Sequence, residues 1–319
     1  MYRNIMVPFD GSSFSREAVV QGLRLASGSG ATLRLVRVGT VSVLSATSEG
    51  ANQESSRMEQ MHAAQLSELY ALALECRANS SVNVTASMQT GPVADALMGY
   101  ARRHKVELIV MRSHARKGLA RMWFGSIADT LIRESGIPVL VVRQPSVATA
   151  LESGFRFKRI LVPLDTSALA AQALASASAI ARIEGASITL LSVVTPSDER
   201  NPGELESTIG HAGADHVATV KRHLEAVAGS PLLRAIEVTT RVVVTNDIPG
   251  AILNTASACE ADLISIATRG RGAIPRASSG SVADAVMRQA AVSVMVVHPE
   301  MRAQQTVPTR ITEVAAAVG

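Results

Sequence analysis

The chain has 319 residues and a formal net charge of +4, and apolar residues make up 47% of it. This apolar fraction is ample for globular cores and argues against a disordered chain. Aromatic residues make up only 3%, which leaves few stacking platforms for single-stranded nucleic acid, so no nucleic-acid partner is expected. No apolar run approaches the ~18 residues of a membrane span, and Met1–Asn4 leads directly into a strand-like run, so a cytoplasmic protein is expected.

Strand-like and helix-like segments alternate along the chain. Short apolar runs predict five strands in the first half, at Ile5–Phe9, Leu33–Val38, Val82–Met88, Leu108–Met111 and Val139–Val142. The segments between them predict helices from Ser12 or Ser13 to Ala26, over Gln53–Ala78, from Pro92 onward, and over Ser126–Arg133. The second half predicts strands near 160–164, 187–194, 236–244, 262–267 and 293–297. Such alternation favours parallel strands joined by right-handed crossovers.

The two halves repeat each other at a constant offset. Ile5–Ser12 returns as Ile160–Ser167, and Gly125–Asp129 returns as Gly280–Asp284, each displaced by 155 residues. A repeat this long indicates a duplicated domain rather than a solenoid. We predict domains over residues 1–146 and 156–300, a linker over 147–155 and a loose tail over 301–319. The fold class is α/β, with two similar doubly wound domains that carry helices on both faces of each sheet.

Two strands of the repeat are expected at the edges of their sheets. Val139–Val142 and Val294–Val297 are apolar, and exposed apolar edges tend to be covered. Two copies of one domain can pair such edges around a pseudo-two-fold axis, as the subunits of a dimer do. We therefore expect the domains to dock through these strands within one chain; further homo-oligomerisation is left open.

Ligands of open α/β sheets bind beyond the carboxyl ends of the strands. In the second copy, the loop from Ala267 contains Gly270 and leads to Gly280-Ser281 at a predicted helix start. Glycines allow close backbone approach to an anion, and a helix start offers free N–H groups and positive dipole. Arginines at 269, 271 and 276 can offset phosphate charge. The alternative is a linker that ends in a serine helix cap.

A carboxylate follows the first strand of each copy. Asp10 and Asp165 occupy equivalent positions. Either residue can cap the helix that follows, or it can accept hydrogen bonds from a base or ribose. A carboxylate is a poor phosphate ligand because like charges repel. Its recurrence indicates a structural or binding role that both copies share.

Together these motifs resemble the universal stress protein family in a tandem two-domain form. The shared marks are V-P-x-D after the first strand and a loop that reads G-x-x-G, nine residues, then G-[S/T]. The resemblance implies five-stranded parallel sheets of order 3-2-1-4-5 and an ATP site. ATP-binding relatives imply Pro163, Asp165 and Val193 around adenine and ribose, and Gly270, Gly280 and Ser281 at the phosphates. The resemblance also implies a divalent cation, Mg²⁺ or Mn²⁺, with the phosphates. Ala267 stands where the loop pattern has its first glycine.

The first copy departs further from that pattern. Pro8, Asp10 and Val38 remain at the base end, and Gly125 and Ser126 remain at the helix start. The two leading glycines are replaced by Arg112 and Ala115. Arg112 can fill the nucleotide space or reach the phosphates; we favour obstruction, and therefore one ATP per chain.

The resemblance implies a regulatory or stress-tolerance protein that binds ATP without rapid turnover and acts on an unidentified protein partner. One alternative is a nucleotide-free interaction module of the same fold. A remote alternative is an adenylating enzyme of the adenine-nucleotide hydrolase superfamily. Such enzymes usually carry an S-G-G-x-D-S loop after the first strand, where this chain has Asp165-Thr166-Ser167-Ala168.

Overall fold

The structure is a computed structural model, which describes residues 1–39, 51–112, 125–143, 155–165, 168–196, 209–268 and 282–298. The strands are β1 (Asn4–Pro8), β2 (Thr32–Gly39), β3 (Val84–Thr90), β4 (Leu108–Arg112), β5 (Val139–Val142), β6 (Arg159–Pro163), β7 (Ser187–Val194), β8 (Val238–Val244), β9 (Leu263–Ala267) and β10 (Ser293–Val297). The helices are α1 (Ser13–Ser29), α2 (Ala51–Ala78), α3 (Val93–Arg103), α4 (Ser126–Glu134), α5 (Ala168–Glu184), α6 (Ile209–Ala228), α7 (Ile248–Ala258) and α8 (Val282–Gln289). The predicted tail and most of the predicted linker lie outside the described residues.

All ten strands form a single sheet. Its order is β3-β2-β1-β4-β5-β10-β9-β6-β7-β8, so each half follows the predicted order 3-2-1-4-5. Pairing is parallel within each half. The predicted α/β fold class is therefore confirmed.

Equivalent residues have the same structural roles in the two halves. Gly30 ends α1 and Gly185 ends α5, both with left-handed backbone (φ 70° and 71°), a conformation that glycine adopts without the Cβ penalty. Glu107 accepts from the N–H groups of Arg3 and Asn4 at the start of β1. Asp262 accepts in the same way from Lys158 and Arg159 at the start of β6. The repeated carboxylate thus anchors the first strand of each domain.

Helices cover both faces of the sheet. Successive strand residues point to opposite faces, so Ile5 and Val7 join one apolar cluster, whereas Met6 joins the other. The first cluster packs beneath α1, α2, α5 and α6, and the second beneath α3, α4, α7 and α8. Each cluster contains residues from both halves and so runs across the junction. In the described part of the chain, no helix is both long and apolar enough to cross a membrane.

The halves join through β5 and β10. These strands pair antiparallel, with Val141 opposite Val294, Leu140 opposite Met295 and Val139 opposite Val296. This is the edge-to-edge pairing that the sequence predicts. Every residue of β5 and β10 is buried. Because strand direction reverses at the junction, the strands of the first domain point their carboxyl ends in the opposite direction to those of the second domain.

Arg143, immediately after β5, forms hydrogen bonds across the junction. Its backbone N–H donates to Ser293 Oγ (3.0 Å), and that hydroxyl donates to the Arg143 carbonyl (3.0 Å). Its guanidinium donates to the carbonyls of Met287 and Ala290 at the carboxyl end of α8. Arg143 is only 7% exposed, and burial lowers its pKa to about 10. A cation from the first domain therefore caps a helix of the second.

Replacing Arg143 with methionine should weaken the junction, because the substitution leaves buried helix carbonyls without their donors. We expect a loss of about 2–3 kcal/mol in the free energy of unfolding, the scale of hydrogen bonds to a charged group. Urea unfolding measures this difference. The control is Arg222→Met on the exposed side of α6, which should change stability by less than about 0.5 kcal/mol. Equal effects of the two substitutions would contradict the role given to Arg143.

Candidate functional site

The carboxyl ends of β1, β2 and β4 and the start of α4 enclose a cavity of about 370 Å³. We call it the strand-end cavity. Its lining includes all five residues that the sequence singles out in the first domain: Pro8, Asp10, Val38, Gly125 and Ser126. The volume lies within the roughly 300–1,000 Å³ of small-molecule sites. The fold thus brings together residues more than 100 positions apart; their binding of a nucleotide remains a prediction.

Asp10 is held in place by the turn that follows β1. Its Oδ1 accepts from the Ser12 N–H (2.9 Å) and the Ser12 hydroxyl (2.6 Å). Ser12 in turn caps α1 by accepting from the Ser15 N–H (3.1 Å). Asp10 therefore does not cap α1, as one of the two expectations had it; Ser12 does, and Asp10 holds the turn that carries Ser12. The carboxylate is nevertheless exposed, and a carboxylate offers further lone pairs to a ligand.

A network of charged side chains borders the side of the cavity that carries Asp10. Arg37, on β2, donates to Glu68 Oε2 (2.8 Å) and to the Asp10 carbonyl (3.2 Å). Arg16 donates to Glu68 Oε1 (3.0 Å), and both guanidinium groups lie within 6 Å of the Phe9 ring centre, at 5.8 and 5.7 Å. The hydrogen bond from Arg37 is the main cause of the lowered pKa of Glu68. This network fixes the wall of the cavity beside Asp10.

The first turn of α4 forms the opposite wall. The carbonyl of Gly125, the N-cap, accepts from the Asp129 N–H (3.1 Å), and among the described residues no N-cap side chain satisfies the helix start, because glycine has none. The first N–H groups of a helix have no partner within the helix. Gly125, Ser126, Ile127 and Ala128 line the cavity, so these donors and the positive helix dipole lie at its edge. Such an arrangement suits an anion.

Arg112, the last residue of β4, lies between these walls. Its guanidinium forms an ion pair with Glu17 on α1 and lies 5.3 Å from the centre of the Phe14 ring. Burial lowers the pKa of Arg112, and the side chain is 16% exposed. An arginine that lines the cavity is therefore held by a carboxylate on the neighbouring helix, and its obstruction of a nucleotide remains a prediction. Ala115 lies outside the described residues.

In the second domain, the residues at the carboxyl ends of the strands occupy positions equivalent to those of the first domain. Pro163 ends β6, Val193 lies on the adjacent β7, and Ala267 ends β9. The N–H of Leu164 donates to the Leu191 carbonyl (2.7 Å), as that of Phe9 donates to the Val36 carbonyl (2.8 Å). Asp165 consequently leaves its strand as Asp10 does, and it is exposed. Gly270, Gly280 and Ser281 lie outside the described residues.

Sequence analysis missed several residues of this region. The Arg37–Glu68 pair joins β2 to α2, and the Arg112–Glu17 pair joins β4 to α1. One signal was present: Arg37 is one of two arginines in the mostly apolar β2, and a charge in such a strand is rare unless it is paired. Within the described ranges, no group of three or more His, Cys, Asp or Glu residues is arranged to hold a metal ion.

Comparison with known proteins agrees with this architecture. The family model described as "Universal stress protein family" matches residues 1–143 and 156–298. A universal stress protein of Methanocaldococcus jannaschii is 29% identical over 46% of this chain and 84% of its own length. One of Mycobacterium tuberculosis is 29% identical over 60% of this chain and 62% of its own length.

A solved structure shows the same fold across both domains. It is a universal stress protein of Archaeoglobus fulgidus, 20% identical, with a TM-score of 0.64 over 92% of this chain and 98% of that one. The double match to the family model covers most of the sequence. The chain therefore belongs to the universal stress protein family and carries two copies of the family's domain in tandem.

Proposed function

We propose that the chain binds ATP in its second domain and acts through nucleotide occupancy rather than turnover. The observation that carries this proposal is a difference between two equivalent sites. The Arg112–Glu17 pair of the first domain corresponds to Ala267 and Gln172 in the second. The second domain thus keeps the strand-end arrangement without the charged pair that crowds it.

The base end of the proposed site consists of Pro163, Asp165 and Val193. The two strands that carry Pro163 and Val193 are neighbours in the sheet, and Val193 is half-buried. Apolar side chains at this edge offer contact to an adenine ring, and the Asp165 carboxylate can accept hydrogen bonds from ribose hydroxyls or a base amine. This division of roles keeps the carboxylate away from phosphate charge.

The phosphate end rests on the sequence between β9 and α8. Gly270, Gly280 and Ser281 provide close backbone approach and a hydroxyl donor before Val282, the first residue of α8. Ala267 is small enough to keep the approach open. A divalent cation, Mg²⁺ or Mn²⁺, would accompany the phosphates and neutralise part of their charge.

In the first domain, the ion pair disfavours a nucleotide in two ways. Arg112 lines the strand-end cavity with a side chain far larger than the alanine at the equivalent position, and its charge is already paired with Glu17. If phosphates drew Arg112 away, the Glu17 carboxylate, only 17% exposed, would lose its partner. Leaving a partly buried charge unpaired is costly. The two domains therefore differ in affinity, although they share one scaffold.

Occupancy of the second domain offers a route to regulation. A ligand shifts a conformational equilibrium only as far as it binds one state better than the other. Arg143 from the first domain caps the carboxyl end of α8, and the proposed phosphate site lies at the amino end of the same helix. A bound nucleotide and the domain junction thus contact opposite ends of one short helix. Through this helix, nucleotide occupancy affects the surface that the protein presents to a partner.

Replacing Gly280 with valine should abolish ATP binding, because the added side chain blocks the approach of phosphate to the backbone. Calorimetric titration with Mg²⁺ and ATP measures the effect. The matched control is Gly125→Val at the equivalent position. Gly125 has φ −57°, and no atom of the described part of the chain lies within 4 Å of an added Cβ, so valine fits there. Undiminished binding by Gly280→Val would refute the site.

Converting the first domain to the pattern of the second should create a second ATP site. The variant combines Glu17→Gln, Arg112→Ala and Ala115→Gly, each copying the equivalent residue of the second domain. Removing both members of the ion pair avoids leaving one charge alone. Titration should find two sites per chain in this variant, and one in the control that keeps Arg112 (Glu17→Gln, Ala115→Gly). If the triple variant shows a single site, the obstruction argument fails.

ATP turnover should be slower than about one per second, a low value for an enzyme. Rapid phosphoryl transfer requires a group that orients the attacking water or nucleophile. The loop from Thr268 to Ser279 contains no His, Asp, Glu or Gln. Phosphate release at saturating ATP and Mg²⁺ measures the rate. Faster release by the purified chain, removed by Gly280→Val, would mean that the protein is an ATPase.

A further inference from the structure

In the described part of the chain, helix α2 exposes large apolar side chains on the side that faces away from the sheet. Its inner side contributes Leu69, Leu72 and Ala73 to the core. On its outer side, Tyr70 is 51% exposed and Leu74 is 61% exposed. Residues three and four positions apart are neighbours on a helix surface, so these two side chains form a continuous stripe with small residues before them. We call it the outer stripe: Ala63, Ser67, Tyr70 and Leu74.

The equivalent helix of the second domain carries charges instead. Ser67 and Tyr70 correspond to Arg222 and Glu225 on α6, and both of these residues are exposed. Charged and polar residues are typical of the solvent side of a surface helix. The scaffold therefore does not require apolar residues at these positions. A contiguous apolar surface on one copy of the domain indicates a contact with another protein surface.

The outer stripe is complementary in shape to itself when two copies of α2 lie antiparallel. Its small residues come first along the helix and its large residues follow. In an antiparallel pair centred between Ser67 and Tyr70, Leu74 of one copy meets Ala63 of the second copy. Tyr70 of one copy likewise meets Ser67 of the second copy. Large side chains thus enter the spaces that small ones leave, as close packing of helices requires. A parallel pair would instead set large residues against large ones.

The charges beside the outer stripe are complementary in the same arrangement. Glu59 and Arg77 lie along one side of the stripe, because their separation of 18 positions equals five full helical turns. Arg57 and Glu75, also 18 positions apart, lie along the other side. All four residues are exposed. In the antiparallel pair, Glu59 faces Arg77 of the second copy, and Arg57 faces Glu75 of the second copy. Opposite charges therefore meet on both sides of the contact, which favours this orientation.

We propose that the chain forms a two-fold homodimer through the outer stripe, with the two copies of α2 antiparallel. Each chain offers the same surface, so the contact closes after two copies. It involves one helix from each chain and is therefore smaller than a standard protein interface, so we expect a dissociation constant on the order of 10 µM. The proposal does not rest on ATP binding.

Sedimentation equilibrium of the full chain, from about 1 to about 100 µM, measures the dimer. Tyr70→Glu introduces the residue that the second domain has at the equivalent position, so the monomer should keep its fold. Dimer affinity should fall at least about thirtyfold, because a charge replaces a tyrosine at the centre of the contact. The matched control is Met61→Glu. Met61 is 53% exposed on the same helix but lies outside the outer stripe, so this variant should dimerise like the parent.

Charge reversal tests the orientation of the two helices. Arg77 also donates to the Val84 carbonyl within its own chain (2.7 Å), so the reversal uses the pair on the other side. Arg57→Glu and Glu75→Arg should each weaken the dimer about tenfold, because each sets like charges opposite one another at two places. The double variant restores opposite charges and should dimerise within about twofold of the parent. The proposal is overturned if the parent chain stays monomeric, if Tyr70→Glu dimerises like the parent, or if the double variant is as weak as the single ones.

Discussion

The antiparallel pairing of β5 with β10 is the contact on which the rest of the molecule depends. Without it, two fully buried apolar strands would become exposed edges, which invite aggregation. With it, the apolar clusters on both faces run through the whole chain. The same contact orients the two domains and brings Arg143 to the end of α8.

The two domains share one scaffold but differ in the residues at the carboxyl ends of their strands. Carboxylates at 107 and 262 anchor equivalent strands, and left-handed glycines end equivalent helices. Residues at the strand ends differ between the copies, as Arg112 and Ala267 do. In the first domain, charged pairs connect β2 to α2 and β4 to α1. These pairs hold the walls of the strand-end cavity in one arrangement.

Much of the fold could be predicted from sequence because it depends on local patterns that occur twice. Val139–Val142 was predicted with the bounds that the structure has, and the Pro-x-Asp turn was correctly placed at a strand end. Pairings that depend on tertiary distance could not be predicted. Glu17 meets Arg112 across 95 positions, and Arg143 meets Met287 across 144.

A structure of the chain crystallised with Mg²⁺ and a non-hydrolysable ATP analogue tests the central claim most directly. The account predicts one nucleotide, with its base beside Pro163 and Val193 and its phosphates at the start of α8. It also predicts that Arg112 remains paired with Glu17 and that the strand-end cavity of the first domain holds no nucleotide. A nucleotide in that cavity, with Arg112 turned toward its phosphates, would contradict the account.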